Sequence, residues 1–272
     1  MSLALKEVIR IGEQMLADAG VADAAIDAKE LYCYMEGLDR TGLMMAWQRI
    51  LQDNQCEAYF KLVEERASRV PLQHITGTQE FMGLPFAVNG DVLIPRQDTE
   101  TLCEEAIALI KRRGYKTCLD LCAGSGCIGI SIANICGTEV TLADISEAAL
   151  SLCRENAEAN GVSIRTIKTD MFDKITDKYD IIVCNPPYLT ASDMASLQRE
   201  LTFEPANALY GGVDGLDFYR RIARDYAQRL NDGGALALEV GIHQAEEVAK
   251  MLGGARIVKD VCGIERAVIK EW

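Results

Sequence analysis

The residues most suited to chemistry lie in "DIIVCNPPY", Asp180 to Tyr188. An apolar run that reads as a buried strand meets one amide, two prolines and a tyrosine. Neither proline has an N–H to continue a ladder, so the backbone is stopped and stiffened there. A planar nitrogen is a poor nucleophile because its lone pair is delocalised. To be alkylated it must be held in position with that pair localised. The Asn185 side-chain oxygen can accept one N–H of such a target, and the Pro186 carbonyl can accept the other. Together they favour the charge that develops on nitrogen. Pro187 fixes the turn, and Tyr188 can stack on a planar group beside a cationic centre. The pattern predicts transfer of an alkyl group to an amide or exocyclic amine. The alternative, a structural Asn-Pro turn, does not account for the second proline and the tyrosine.

Upstream, "LDLCAGSGCIG" contains Gly124, Gly126 and Gly129 in a G-x-G-x-x-G array. Glycines let the backbone turn tightly and approach a ligand, so the array predicts a nucleotide-like cofactor or a purely structural turn. Asp120 precedes the glycines, where a carboxylate would repel a pyrophosphate. It would suit S-adenosylmethionine, which carries an ammonium and a sulfonium and no phosphate. Asp144 ends the next strand and is placed to accept hydrogen bonds from ribose hydroxyls, or to cap the following helix. Asp170, Met171 and Phe172 end the third strand. There Phe172 either covers the adenine or belongs to the core.

These groups need a scaffold. From Lys116 onward, strand patterns ("TCLDLC", "EVTLADI", "IRTIKTD", "YDIIVCN", "GALALEVG") alternate with helical ones, and "ARIVKDV" and "ERAVIKEW" close the chain. Such alternation predicts a Rossmann-like α/β fold with a parallel sheet covered by helices. Ligands bind there at the carboxyl ends of the strands. Residues 1–74 read as a helical bundle, with Asp53 as an N-cap and Pro71 as a stop. That bundle either caps its neighbour or recognises a partner. Residues 75–95 read as a β-hairpin linker turning at Asn89-Gly90. Residues 96–272 form the catalytic domain, whose first helix Asp98 or Thr99 would cap.

Composition narrows the class. The chain has 272 residues, 49% hydrophobic and 25% charged, as soluble globular proteins do. No apolar run approaches the ~20 residues of a membrane span, and the N-terminus has no signal-peptide core, which predicts a cytoplasmic protein. A net charge of −13 disfavours a broad phosphate-backbone interface, so nucleic acid is not expected as the direct substrate. Ten cysteines in a chain of this kind are read as buried thiols. Cys118, Cys122 and Cys127 straddle a strand and a turn with no histidine near, so no metal site is expected. His74 and His243 are read as structural.

With "NPPY" and "DLCAGSGCIG" in place, the chain resembles amino-methyltransferases that act on planar nitrogen. The segments "PLQHITGTQEFMGLPFAVNGDVLIPRQDTE" and "FEPANALYGGVDGLDFYRRI" narrow the resemblance to the release factor glutamine methyltransferases, the HemK-like family, over about residues 70 to 272. The resemblance implies a helical bundle, a hairpin linker and a seven-stranded class I methyltransferase domain with an antiparallel end. It implies S-adenosylmethionine as cofactor and class-1 peptide chain release factors as partners, methylated at the glutamine of their Gly-Gly-Gln loop. Carried onto this chain, the cofactor turn is Cys122, Ala123, Gly124, Ser125 and Gly126. Asp144 is the ribose acid, Phe172 the adenine neighbour, and Asn185, Pro186, Pro187 and Tyr188 the target site. Phe81 and Arg96 match positions near the pocket. The family usually has glycine at Cys122, proline at Gln97 and often tryptophan at Phe172. Two other readings stand beside this one: a nucleic-acid amine methyltransferase, and a non-catalytic adaptor.

Overall fold

A computed structural model describes residues 3–272. The chain divides into two compact units, residues 1–77 with 199–203, and residues 78–198 with 204–272.

Among its described residues the first unit holds five α-helices, α1 (Leu5–Asp18), α2 (Ala24–Glu36), α3 (Arg40–Ala46), α4 (Asp53–Ala67) and α5 (Leu72–Thr76), and a 3-10 helix over Arg199–Phe203. A two-residue pairing of β1 (Leu3–Ala4) with β2 (Ile50–Leu51) ties the segment before α1 to the segment before α4. Leu5, Val8, Ile9 and Leu16 recur at helical spacing on α1 and are buried, so this face meets α2 and α4. The Tyr59 hydroxyl donates to the Ala28 carbonyl at 2.9 Å inside this core. Arg66 is buried between Asp27 (2.7 Å) and Glu200 (3.2 Å). Glu200, bound mainly by Arg69, is held down at about 2. Two details differ from expectation. Asp53 is the first helical residue, after the N-cap Gln52. Pro71 starts α5, because α4 has already ended at Ala67.

The second unit opens with a hairpin of β3 (Thr78–Phe81) and β4 (Leu84–Ala87). Its turn is Met82-Gly83, both at positive φ, and not Asn89-Gly90. Asn89 instead folds its own side chain onto the Asp91 N–H at 2.9 Å, a local turn after the hairpin. Next come α6 (Asp98–Arg113), β5 (Thr117–Leu121), α7 (Cys127–Cys136), β6 (Glu139–Asp144), α8 (Glu147–Ala159), β7 (Ile164–Lys168) and β8 (Tyr179–Cys184). Then follow α9 (Ala191–Ala195), α10 (Asp217–Asp225), β9 (Leu230–Glu239), α11 (Ala245–Met251), β10 (Arg256–Lys259) and β11 (Glu265–Glu271). Helix α6 has Gln97 at its N-cap with no side-chain bond, so neither Asp98 nor Thr99 caps it.

The seven strands run in the order β10-β11-β9-β8-β5-β6-β7. Strands β5 to β9 pair in parallel, and β11 pairs antiparallel with both neighbours. Only β11 is reversed, so the antiparallel end is one strand inserted inside the edge strand β10. From β5 the chain steps outward through β6 to β7, then returns to β8 on the other side of β5. That reversal is a switch point, where a cleft opens beyond the strand ends. One core packs α6, α7 and α8 on one face of the sheet, and a second packs α10 and α11 on the other.

Helix α7 lies so close to the sheet that a Cβ on Gly129 would stand 2.3 Å from Leu142 Cδ2 and 2.9 Å from Val140 Cγ1. Gly129→Ala is therefore expected to cost about 1–3 kcal/mol of stability through overpacking. Urea denaturation measures this, and a variant as stable as wild type would contradict the packing described.

Candidate active site

The cleft, about 280 Å³, is built from the ends of β5, β6, β7 and β8 and the residues after β4. Leaving β5, Cys122 adopts φ 61°, a left-handed backbone uncommon for a residue with a side chain. Its Sγ lies 3.7 Å from Met171 Sδ. Ala123 N donates to the Ala143 carbonyl at 3.1 Å, and Gly124 N to Asp144 Oδ2 at 3.0 Å. The turn is thereby stitched to the end of β6. Gly126, at φ 82°, caps α7 where a Cβ would meet Ile130 Cδ1 at 2.8 Å. Asn156 braces the turn from behind. Its Nδ2 donates to Ser125 O at 2.9 Å, and its Oδ1 accepts from Ala87 N at 2.7 Å.

Cys122, Ala123, Gly124, Ser125, Asp144, Asn185 and Pro187 all line this cleft, as does Arg96. So do Asp170 and Met171, whereas Asp120, Gly126, Phe172, Pro186 and Tyr188 do not. Asp120 is 1% exposed and turned beneath the glycine turn, where Oδ2 accepts from Gly129 N at 2.8 Å. It braces the first turn of α7 and does not form a wall facing a cationic ligand. Phe172 is packed in the core, and the lining falls to Asp170 and Met171. Phe81 packs edge-on against Phe86 at 6.2 Å. The cap of α8 is Ser146, which accepts from Ala149 N at 3.2 Å. Asp144 also accepts from Ser146 N at 2.8 Å, through its other oxygen.

Asn185 leaves β8 beside the glycine turn, because Leu121 and Cys184 are register partners. Its Nδ2 donates to Thr99 Oγ1 at 3.3 Å, which leaves Oδ1 as the acceptor for a ligand. The Tyr188 hydroxyl donates to Glu239 Oε1 at 3.3 Å. Burial, reinforced by that carboxyl, pushes the phenol well above its usual range. The turn is clamped from the other side. Gln244 Nε2 donates to Tyr188 O at 3.0 Å, Leu189 N donates to the Leu209 carbonyl at 2.9 Å, and Gly211 N donates to the Leu189 carbonyl at 2.9 Å. Gly215 permits the approach, since a Cβ there would meet Tyr188 O at 2.3 Å. Asn156, Glu239 and Gln244 were not singled out in the sequence, and Thr99 was read only as a helix cap. Their partners are remote along the chain, and the only trace is a polar residue inside an otherwise apolar pattern.

A phosphate-free adenosine cofactor fits these residues. Asp144 presents a carboxylate at the end of β6, backbone alone forms the glycine turn, and acids (Asp91, Asp144, Asp170) outnumber cations along the wall. Arg221 is neutralised by Asp170 at 2.7 Å, and Arg96 by Glu204, whose Oε2 also accepts from Ile94 N at 2.9 Å. The other wall carries the amide that can hold an N–H donor.

Fold and site together define a Rossmann-like methyltransferase of class I. The family described as "Methyltransferase small domain" matches residues 105–215, and "PrmC N-terminal domain" matches residues 7–77. A release factor glutamine methyltransferase of Geobacter sulfurreducens is 39% identical over 97% of this chain and 95% of its own. One of Clostridium botulinum is 34% identical over 97% and 98%. The chain belongs to the release factor glutamine methyltransferase family. Among solved structures, a methyltransferase from Pyrococcus furiosus shares the fold at TM-score 0.53 and 17% identity, covering 70% of this chain and 90% of that one. A 16S rRNA methyltransferase of Thermus thermophilus does so at TM-score 0.53 and 19% identity, covering 71% and 49%.

The burial of Asp120 has a pH consequence. Desolvation holds its carboxyl at about 7, against the Gly129 N–H that favours the anion. The unfolded value is about 4. A raised carboxyl stabilises the fold fully below the unfolded value, and that contribution is lost as pH rises through 7. Asp120→Asn is expected to remove part of the loss of stability between pH 5 and pH 8. Urea midpoints at the two pH values measure this, and an unchanged pH slope would contradict the assignment.

Proposed function

We propose that this protein transfers a methyl group from S-adenosylmethionine to the side-chain amide nitrogen of the glutamine in the Gly-Gly-Gln motif of class-1 peptide chain release factors, in the cytoplasm. The observation that carries the reading is Asn185. It is an amide with its nitrogen committed to Thr99 and its oxygen left over, set on a proline-stiffened turn at the wall of a phosphate-free nucleoside cleft. The names of relatives at 34 to 39% identity over nearly the whole chain support the same substrate. No helix among the described residues is long and apolar enough to cross a membrane, which is compatible with the location proposed.

S-adenosylmethionine supplies an electrophilic methyl carbon when bound. Asp144 and the turn from Cys122 to Ser125 would hold it, with Met171 and Asp170 beside the base. The protein's own residues do the rest. Asn185 Oδ1 accepts an N–H of the target amide, which orients that nitrogen and disperses the charge it acquires. Pro187 keeps the wall stiff, and Tyr188 closes the layer behind it. No side chain is needed as a strong base, because an N-methylated amide gives up its extra proton readily to solvent.

Two outcomes are expected. Incubation with labelled S-adenosylmethionine labels a release factor but not its Gln→Ala variant in the Gly-Gly-Gln loop. Label in both would place the modified atom elsewhere, and label only in RNA or DNA would overturn the substrate. Asn185→Ala lowers turnover by about 100- to 1000-fold, the range for losing one preorganised polar contact. Unchanged turnover would remove Asn185 from the site.

A further inference from the structure

One part of the cleft wall is fastened by a buried carboxylate whose two oxygens are both engaged. Glu204 is 6% exposed and precedes Pro205, Asn207 and Ala208, which line the cleft. Its Oε2 accepts from Ile94 N at 2.9 Å, and its Oε1 accepts from Arg96 Nη2. One side chain thus staples the segment after the hairpin to the segment after the proline turn. The backbone of Arg96 is held as well. Pro95 precedes it, and Thr99 N donates to its carbonyl at 3.1 Å. A guanidinium offers several N–H groups in one plane. Among the described residues Glu204 is the only hydrogen-bond partner of this one, and the Arg96 side chain is 37% exposed in the cleft wall. A cation is therefore gripped by one edge, and its other N–H groups stay open.

Three groups radiate from the sulfonium of the cofactor. The methyl group has to face Asn185, and the adenosyl group has to follow Asp144 and Asp170 along the ends of β6 and β7. The aminocarboxypropyl chain is left with the remaining lining, from residues 91–96 and 205–208. That chain ends in the one carboxylate of the cofactor. The lining offers two cations, Arg96 and Arg221, and Arg221 is engaged by Asp170 at 2.7 Å, beside the base. We propose that Arg96 binds the carboxylate of S-adenosylmethionine, and that Glu204 is the positioning residue that aims it. Glu204 also sets what the arm accepts. An amino-acid end is a zwitterion without net charge, so a guanidinium whose charge is already balanced suits it through hydrogen-bond geometry. A phosphate dianion would meet Glu204 and the acids of the wall uncompensated. This inference rests on the function proposed above and on the cofactor it uses.

The test is calorimetric titration of the full-length protein with S-adenosylmethionine and with its decarboxylated form, which keeps the ammonium and the sulfonium. Wild type is expected to prefer the carboxylate-bearing ligand by about 10- to 100-fold, the range for hydrogen bonds to a charged group. Arg96→Leu is expected to lose about that factor for S-adenosylmethionine while binding the decarboxylated form within about 3-fold of wild type, so the preference disappears. Arg96→Lys keeps the ion pair to Glu204 and serves if Arg96→Leu does not fold. It lacks the planar fork, and its preference is expected to fall between the two. Glu204→Gln has one acceptor fewer for Ile94 and Arg96, and is expected to weaken S-adenosylmethionine alone by about 3- to 10-fold. A wild type without preference overturns the proposal. So does an arginine variant that keeps the full preference, or a Glu204→Gln that weakens both ligands in parallel, as a purely structural role would. Unchanged cofactor affinity with a raised KM for release factors in Arg96→Lys would assign the arm to the target and overturn it too. The titration needs no release factor. A protein that binds both ligands as expected but leaves release factors unlabelled defeats the functional reading and spares this inference.

Discussion

The register of β5 against β8 is the constraint on which the rest depends. Leu121 and Cys184 are opposite one another in adjacent parallel strands, so the two chains leave the sheet side by side. One leaves as the glycine turn and the other as the proline turn. A slip by one residue would exchange the faces of the whole strand and separate the two turns. Because parallel strands end at the same edge, the glycine turn and the proline turn meet there as two walls of one cleft.

The second constraint is desolvation. Two acids, Asp120 and Glu239, lie buried immediately behind the two turns, and burial holds both at about 7. Each has one oxygen without a partner among the described residues. Such groups are costly in the fold, and the cost is offset by the order they impose. Asp120 holds the first turn of α7 and thereby the shape of the glycine loop. Glu239 accepts the Tyr188 hydroxyl behind the proline turn. Close backbone approach at Gly129 and Gly215 lets the sheet, the helix and the returning loop pack this tightly.

Much of this was legible in the sequence, and the pattern of misses is physical. Alternation of strand and helix patterns located the sheet, and the apolar run cut off by Asn185-Pro186-Pro187 located the wall. Both signals are local in the chain. The hairpin was misplaced because Asn-Gly is a strong turn signal, whereas the actual turn uses Met82, a residue with no such preference, followed by Gly83. Asp120 was expected to face the ligand because spacing gives a residue's strand but not the direction of its side chain at the strand end. Phe172 was lost to the core for the same reason. Glu239 and Gln244 could not be found at all, and Thr99 was read only as a helix cap. Tyr188 and Glu239 are 51 positions apart, and only the fold brings them together.

The central claim is that the cleft is divided, with the β5–β6 side holding the cofactor and the β8 side holding the target. Calorimetric titration of S-adenosylmethionine into wild type, Asp144→Ala and Asn185→Ala tests it most directly. The account predicts that Asp144→Ala weakens binding by about 10- to 100-fold, the loss of charge-assisted hydrogen bonds, while Asn185→Ala binds within about 3-fold of wild type. Wild-type affinity in Asp144→Ala, or loss of binding confined to Asn185→Ala, would contradict the division.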